Sequence, residues 1–129
     1  MTDSPKRSKL MANSELRVFN GTSCPELGER ITKYLSVEPG KIKLSRFAGG
    51  EIYARILENI RGQSCVIIQT CTDKVNEDLM ELFIIIDALK RASAKNITAV
   101  IPHFGYARQD RKAASREPVS ARLVANLLE

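Results

Sequence analysis

A dense group of polar residues follows an apolar segment in the second half of the chain. The apolar run ITAVIP ends at residue 102, and the chain continues as HFGYARQDRK over residues 103–112. Arginine presents a planar fork that fits phosphate oxygens, and lysine adds a point charge. These residue types suit an anion site, in which Gln109 could orient a polar edge of the ligand. Their spacing alone favours the alternative, a solvated turn. The charged residues of this stretch are Arg108, Asp110, Arg111 and Lys112, and Arg116 follows shortly after it.

A second candidate for ligand binding is the segment FAGGE at residues 47–51. Paired glycines let the backbone approach a ligand closely, Phe47 can stack on a ring, and Glu51 can accept a hydrogen bond from one. The alternative is an ordinary turn with a buried phenylalanine. The chain has neither a GxxxxGK[ST] nor a GxGxxG motif, so it encodes no standard phosphate-binding loop or dinucleotide fingerprint.

The potential metal ligands of the chain are few. His103 is the only histidine, and Cys24, Cys65 and Cys71 show no CxxC spacing. A lone histidine is more often a hydrogen-bonded residue than a catalyst, and unpaired thiols are typical of a reducing cytosol. We therefore predict no metal site within the chain and a cytoplasmic location.

The elements that must position these segments follow from hydrophobic periodicity. Ser23 with Glu26 fits a capping box, Pro25 suits a first helical turn, Asn76 can cap the second helix, and Pro118 lies near the start of the third. Strands alternating with helices predict an α/β domain with a mainly parallel sheet and helices on both faces. The predicted strands are 15–19, 41–47, 52–60, 64–70 and 96–102, and the predicted helices are 24–36, 76–94 and 118–129.

This arrangement gives the polar loops a shared location. Ligands of open parallel sheets bind outside the carboxyl ends of the strands. The loops 70–76 and 103–117 each follow such an end, after two apolar strands that we expect to be buried. The pair Gly49-Gly50 lies between two alternating segments and predicts a β-hairpin.

The totals limit the class of protein. A chain of 129 residues with 43% apolar and 27% charged residues is one soluble domain. A net charge of +5 is too mild to indicate DNA binding, and 5% aromatics without tryptophan disfavour RNA stacking surfaces. No segment fits a membrane span or a secretory signal. We expect residues 1–12 to be a disordered extension, with Met1 or Met11 as the start. The domain then covers 13–129 and is truncated within its last helix.

Three stretches of the sequence resemble the ribose-phosphate pyrophosphokinases of the bacterial class I type, over residues 15–129. They read RFAGGEIYARILENIRG, VNEDLMELFIIIDALKRASAKNITAVIP and FGYARQDRKAASREPVSARLVANLLE. The resemblance implies an enzyme that transfers the diphosphoryl group of ATP to O1 of ribose 5-phosphate and releases AMP. It also implies Mg²⁺ as cofactor, inorganic phosphate as activator, and a hexamer. The implied fold is a pair of phosphoribosyltransferase-like domains, of which this chain is the first, with a β-hairpin insertion.

The resemblance also assigns roles to particular residues. It places ATP contacts in the loop after residue 102 and, from a neighbouring subunit, in the hairpin. Arg61 is a secondary candidate for the effector phosphate site. The implied ATP-binding residues are Phe47, Gly49, Glu51, Arg108, Gln109 and Lys112.

The sequence departs from the family pattern at two points. Gly49 stands where the family usually has Asp or Asn, which reads the adenine amino group. The metal-binding histidine and the catalytic and ribose-phosphate loops of the family have no counterpart here, so no catalytic residue lies within the chain and we expect the isolated chain to be inactive. An alternative function is a non-catalytic, synthetase-associated regulatory subunit, which Gly49 favours and the intact Arg108-Gln109 pair disfavours.

Overall fold

A computed structural model describes residues 16–129 of the chain. The extension predicted at 1–12 and the first residues of the predicted domain lie outside the described residues. The elements, in chain order, are β1 (Leu16–Asn20), α1 (Pro25–Leu35), β2 (Ile42–Arg46), β3 (Ile52–Ile56), β4 (Ser64–Ile68), α2 (Val75–Arg91), β5 (Asn96–Val100) and α3 (Ser120–Leu128).

The sheet is parallel, and β4 is its central strand. Strand order is β1-β4-β5, with Phe19 opposite Ile67 and Ile67 opposite Ala99. Cys65 and Ile68 of β4 are each 1% exposed although they point to opposite faces, as expected of a strand covered on both sides. The strands β2 and β3 form a separate antiparallel hairpin. The predicted α/β class with a mainly parallel sheet is confirmed.

Helices cover both faces of the sheet. Phe19 and Ile67 pack with α2 in the main core. Asn20 projects from the opposite face, where its side chain lies so close to Gly28 of α1 that a Cβ at Gly28 would be 2.2 Å from Oδ1. The predicted placement of helices on both faces is therefore confirmed. The main core consists of Phe19, Ile60, Cys65, Ile67, Leu82, Ile85, Ile86 and Leu89.

The hairpin and α3 both attach to α2. Apolar side chains of the hairpin join the main core, and Arg46 near its tip forms an ion pair with Glu77, 3.4 Å from Nη2 to Oε2. On α3, Val124 clusters with Leu79 of α2 and with Cys71. The long apolar helix α2 is thus the element against which one face of the sheet, the hairpin and α3 pack.

Several predicted details of the elements are wrong. The strand predicted over 52–60 ends at Ile56, because its partner strand begins opposite it, at Ile42. The chain then turns at Asn59, which accepts a hydrogen bond from the Arg61 N–H. The strand predicted as buried at 96–102 is an edge strand, in which alternate residues including Val100 are exposed.

The predicted helix caps also differ from the structure, except for Pro25, which occupies the first turn of α1. Cys24 is the N-cap of α1, and the Ser23 hydroxyl instead donates to Gln69. Asn76 lies inside α2, after its N-cap at Lys74. Both side chains form hydrogen bonds with residues distant in the sequence, which local capping rules do not consider.

Candidate functional site

The two polar loops at the carboxyl edge of the sheet are hydrogen-bonded to each other. The His103 N–H donates to Oγ1 of Thr70 at 3.0 Å, and the Cys71 N–H donates to the His103 carbonyl at 3.0 Å. Parallel strands end at the same edge, so the residues that follow β4 and β5 meet there. The predicted proximity of these two loops is therefore what the structure shows.

A cleft of about 360 Å³ opens between these loops. Two of the residues predicted to bind ATP, Arg108 and Gln109, line it, whereas Lys112 lies on the exposed part of the loop and does not. No ion pair among residues 16–129 involves Arg108, so its guanidinium is available to an anionic ligand. The residues that line the cleft are Thr72, Val75, His103, Gly105, Tyr106, Arg108 and Gln109.

The wall of the cleft depends on a close approach at Gly105. A Cβ at this position would lie 2.4 Å from Cγ2 of Val75 and 3.0 Å from Sγ of Cys71. The next residue, Tyr106, has a left-handed φ of 67°, and its hydroxyl donates to Oδ1 of Asn76. Burial raises the pKa of the Cys71 thiol, with a smaller lowering by the Gly105 N–H and a smaller raising by the Asp78 charge. This thiol is therefore a packing group of the wall.

The hairpin tip presents a separate set of residues. Phe47 is 58% exposed and lies edge-on to Tyr53, with ring centroids 5.8 Å apart. The alternative of a turn with a buried phenylalanine is therefore wrong. A Cβ at Gly49 would meet only Glu51 Oε1, at 3.7 Å, so this position accepts a side chain. The turn itself is made by Gly50, at φ 89°, whose N–H donates to the Phe47 carbonyl.

The structure of one chain does not unite all the predicted site residues. Within residues 16–129, no hydrogen bond or ion pair connects Phe47, Gly49 or Glu51 with the cleft. Arg61 is exposed in the turn before β4, at the amino end of that strand. The cleft lies at the carboxyl end, so Arg61 and the cleft are at opposite edges of the sheet.

A buried polar network beneath the cleft was not found from the sequence. Glu81 and Gln69 are 5% and 1% exposed, and Nε2 of Gln69 donates to Oε1 of Glu81 at 3.1 Å. One signal was present: Asp78 and Glu81 share a helical face with the core residues Leu82 and Ile85. Carboxylates on the buried face of a helix require partners, and the partners lie on other elements.

All the residues that the structure describes match one protein family. Residues 16–129 match the family model described as the N-terminal domain of ribose phosphate pyrophosphokinase. The chain belongs to this family.

The relatives that match this chain are much longer than the chain itself. The ribose-phosphate pyrophosphokinase of Corynebacterium ammoniagenes is 57% identical over 117 residues, which are 91% of this chain and 37% of the relative. That of Bacillus subtilis is 53% identical over 122 residues, 95% of this chain and 38% of the relative. The crystal structure of phosphoribosylpyrophosphate synthetase from Mycobacterium smegmatis superposes with a TM-score of 0.85 at 48% identity, over 88% of this chain and 38% of that one. The chain therefore spans less than two fifths of the length of these relatives.

Potential metal ligands do not cluster in the part of the pyrophosphokinase domain that the structure describes. No group of three or more His, Cys, Asp or Glu side chains in residues 16–129 could hold a metal ion. Mg²⁺ bound with a nucleotide needs only one or two protein carboxylates, so the Mg²⁺ implied by the resemblance stays a prediction, with its ligands expected mainly outside this chain. In the same range, no helix is long and apolar enough to cross a membrane.

Proposed function

We propose that this chain is the N-terminal portion of a ribose-phosphate diphosphokinase, which transfers the diphosphoryl group of ATP to ribose 5-phosphate and releases AMP. The observation that carries the proposal is the cleft at the carboxyl edge of the sheet, with Arg108 and Gln109 in its lining. The relatives from Corynebacterium ammoniagenes and Bacillus subtilis are ribose-phosphate pyrophosphokinases by name, which supports the same reaction.

In this proposal the chain supplies binding and charge rather than a reacting group. Diphosphoryl transfer depends mainly on positioning and on stabilising charge on the phosphate oxygens. Arg108 clamps those oxygens, Gln109 fixes a polar edge of the nucleotide, and Lys112 adds positive charge from the exposed loop. Mg²⁺ and ribose 5-phosphate bind mainly through residues outside this chain.

The hairpin acts on a neighbouring subunit. Phe47 is exposed at the tip, so it can stack on adenine bound by another copy of the chain, with Glu51 accepting a hydrogen bond from the base or ribose. This explains why the hairpin residues and the cleft are separate within one chain. We further propose that the chain forms a homo-oligomer, as the hexameric family does, and that an effector phosphate binds near Arg61. The proposed location is the cytoplasm.

Calorimetric titration of the chain with ATP tests the assignment of the cleft. We expect Arg108→Ala to weaken ATP binding by tenfold or more, because a charge-assisted hydrogen bond contributes about 1.5–3 kcal/mol. Arg30→Ala on α1 is the matched control, since Arg30 is exposed and carries the same charge. Equal losses for both variants would show that only net charge matters, and the assignment of the cleft would be wrong.

The 129-residue chain by itself is expected to make no AMP. Incubation with ATP, Mg²⁺ and ribose 5-phosphate, followed by chromatography of the nucleotides, checks this expectation. Steady formation of AMP would refute it.

The alternative of a non-catalytic regulatory subunit has one supporting observation, glycine at position 49. The same assay in the presence of an active synthetase tests this alternative, because a regulatory subunit would change the rate of the synthetase.

A further inference from the structure

Glu81 is a buried carboxylate whose hydrogen-bond partners all come from other elements. It accepts from the Thr22 N–H at 2.7 Å, from the Thr22 hydroxyl at 2.8 Å and from Nε2 of Gln69 at 3.1 Å. No ion pair in residues 16–129 involves Glu81. A buried carboxylate is stable only when its oxygens are satisfied, so Glu81 fixes both of its partners in place.

Gln69 passes this constraint to the next loop. Its Nε2 atom donates to Glu81 and to the Asp78 carbonyl, and its Oε1 atom accepts from the Ser23 N–H at 3.2 Å and the Ser23 hydroxyl at 2.6 Å. The Ser23 hydroxyl in turn accepts from the Thr70 N–H at 3.0 Å. Every polar atom of the Gln69 amide is therefore used, which leaves one orientation for it.

The last step of the chain of hydrogen bonds reaches the cleft. Oγ1 of Thr70 accepts the His103 N–H at 3.0 Å, and the Cys71 N–H donates to the His103 carbonyl. From His103 the loop continues to Arg108 and Gln109, with the Tyr106 hydroxyl bonded to Asn76 on α2. The start of the loop and its middle are thus both attached to the region around the beginning of α2.

We infer that Glu81 is a positioning residue for ATP binding: through Gln69, Ser23 and Thr70 it sets the loop that carries Arg108 and Gln109. The inference rests on the proposed function, since it concerns the same cleft. It differs from a purely structural role because it predicts loss of affinity in a protein that remains folded. Networks of this kind specify one arrangement only when every member is satisfied.

Two pairs of variants separate positioning from packing. Glu81→Gln keeps the network, because the new amide oxygen accepts from Thr22 and Gln69 while its nitrogen donates to the Thr22 hydroxyl, which can reverse. Glu81→Met has a similar shape but no strong acceptor. At the other end of the network, Thr70→Ser keeps the acceptor for the His103 N–H, and Thr70→Val removes it.

Two measurements are made on each variant of the intact chain. Calorimetric titration gives the dissociation constant for ATP, and amide hydrogen exchange gives the protection of the His103 and Cys71 N–H groups. Ile85→Val is the control for general destabilisation, since Ile85 is buried on α2 within the main core and its apolar side chain takes no part in the hydrogen-bond network. Its cavity should weaken the fold without moving the loop.

We expect Glu81→Met and Thr70→Val each to raise the dissociation constant by about tenfold, as the loss of one well-placed hydrogen bond does. Both variants should also increase the rate of hydrogen exchange at the His103 N–H. For Glu81→Gln, Thr70→Ser and Ile85→Val, the dissociation constant and the exchange rate should each stay within about threefold of the unmodified chain. Unchanged ATP affinity in folded Thr70→Val, or equal losses in Ile85→Val, would overturn the inference.

Hydrogen exchange distinguishes failure of this inference from failure of the proposed function. If the unmodified chain binds no ATP, the proposed function is wrong for this chain, and the exchange data still decide whether Glu81 holds the loop. Increased exchange at His103 in Glu81→Met, but not in Glu81→Gln, would support the positioning role. Equal exchange in the two variants would overturn it.

Discussion

Gly105→Ala is the substitution whose effect can be worked out most directly from the structure. The added methyl carbon would lie 2.4 Å from Cγ2 of Val75, whereas ordinary van der Waals contact begins at 3.4 Å. The loop or Val75 must therefore move by about 1 Å. Gly105 is buried and is not among the residues with positive φ, so the clash, rather than backbone strain, causes the effect.

The expected magnitude combines two opposing contributions. Overpacking of a buried site costs about 1–3 kcal/mol. Alanine also reduces the entropy of the unfolded chain, which offsets up to about 1 kcal/mol. A net loss of about 1–2 kcal/mol lowers Tm by roughly 4–8 °C in a domain of this size. Displacement of the loop also moves Arg108 and Gln109, so we expect ATP affinity to fall about tenfold.

Thermal unfolding followed by circular dichroism and calorimetric titration with ATP are the two assays. Val75→Ala/Gly105→Ala removes Cγ2, so the double variant should recover about 1 kcal/mol relative to the sum of the single changes. Gly40→Ala is the control, since its Cβ would lie 2.5 Å from the Phe19 ring, which is part of the core and not of the cleft lining. It should lower Tm but leave ATP affinity unchanged. If Gly105→Ala behaved like Gly40→Ala, the loop would not depend on this close approach.

Two further predictions concern the hairpin and the buried thiols. Gly49→Asp should tighten ATP binding in the oligomer of a longer protein that contains this domain. Position 49 has room for a side chain, and the new carboxylate can accept a hydrogen bond from the adenine amino group. An unchanged dissociation constant by titration would contradict this prediction. Burial raises the pKa of the Cys65 and Cys71 thiols above their ordinary 9.0, so the folded state keeps protons that the unfolded state loses. The free energy of unfolding should therefore fall as the pH rises above about 9. Urea unfolding at pH 8 and pH 10 measures this decrease, which should be smaller in Cys65→Ala/Cys71→Ala than in the unmodified chain. An equal decrease in both proteins would contradict the prediction.

The sequence predicted the elements well where their pattern is local. The apolar run of β4 predicted a strand buried on both faces, and the periodicity and charge distribution of α2 predicted a long helix although Ile84, Ile85 and Ile86 are β-branched. These patterns arise between residues two to four positions apart, which the sequence shows directly. The same reasoning placed the loops after β4 and β5 at one edge of the sheet, and so predicted the neighbourhood of Arg108 and Gln109.

The tertiary structure alone decided how polar side chains are partnered. Ser23 looked like a helix cap but donates to Gln69, which lies 46 residues away, and Thr22 bonds to Glu81 across 59 residues. Which polar groups meet depends on which strand ends are adjacent, and burial makes those pairings obligatory. The sequence therefore determined the elements and the charged loop of this protein, whereas the fold determined the buried network beneath the loop and the separation of the hairpin tip from the cleft.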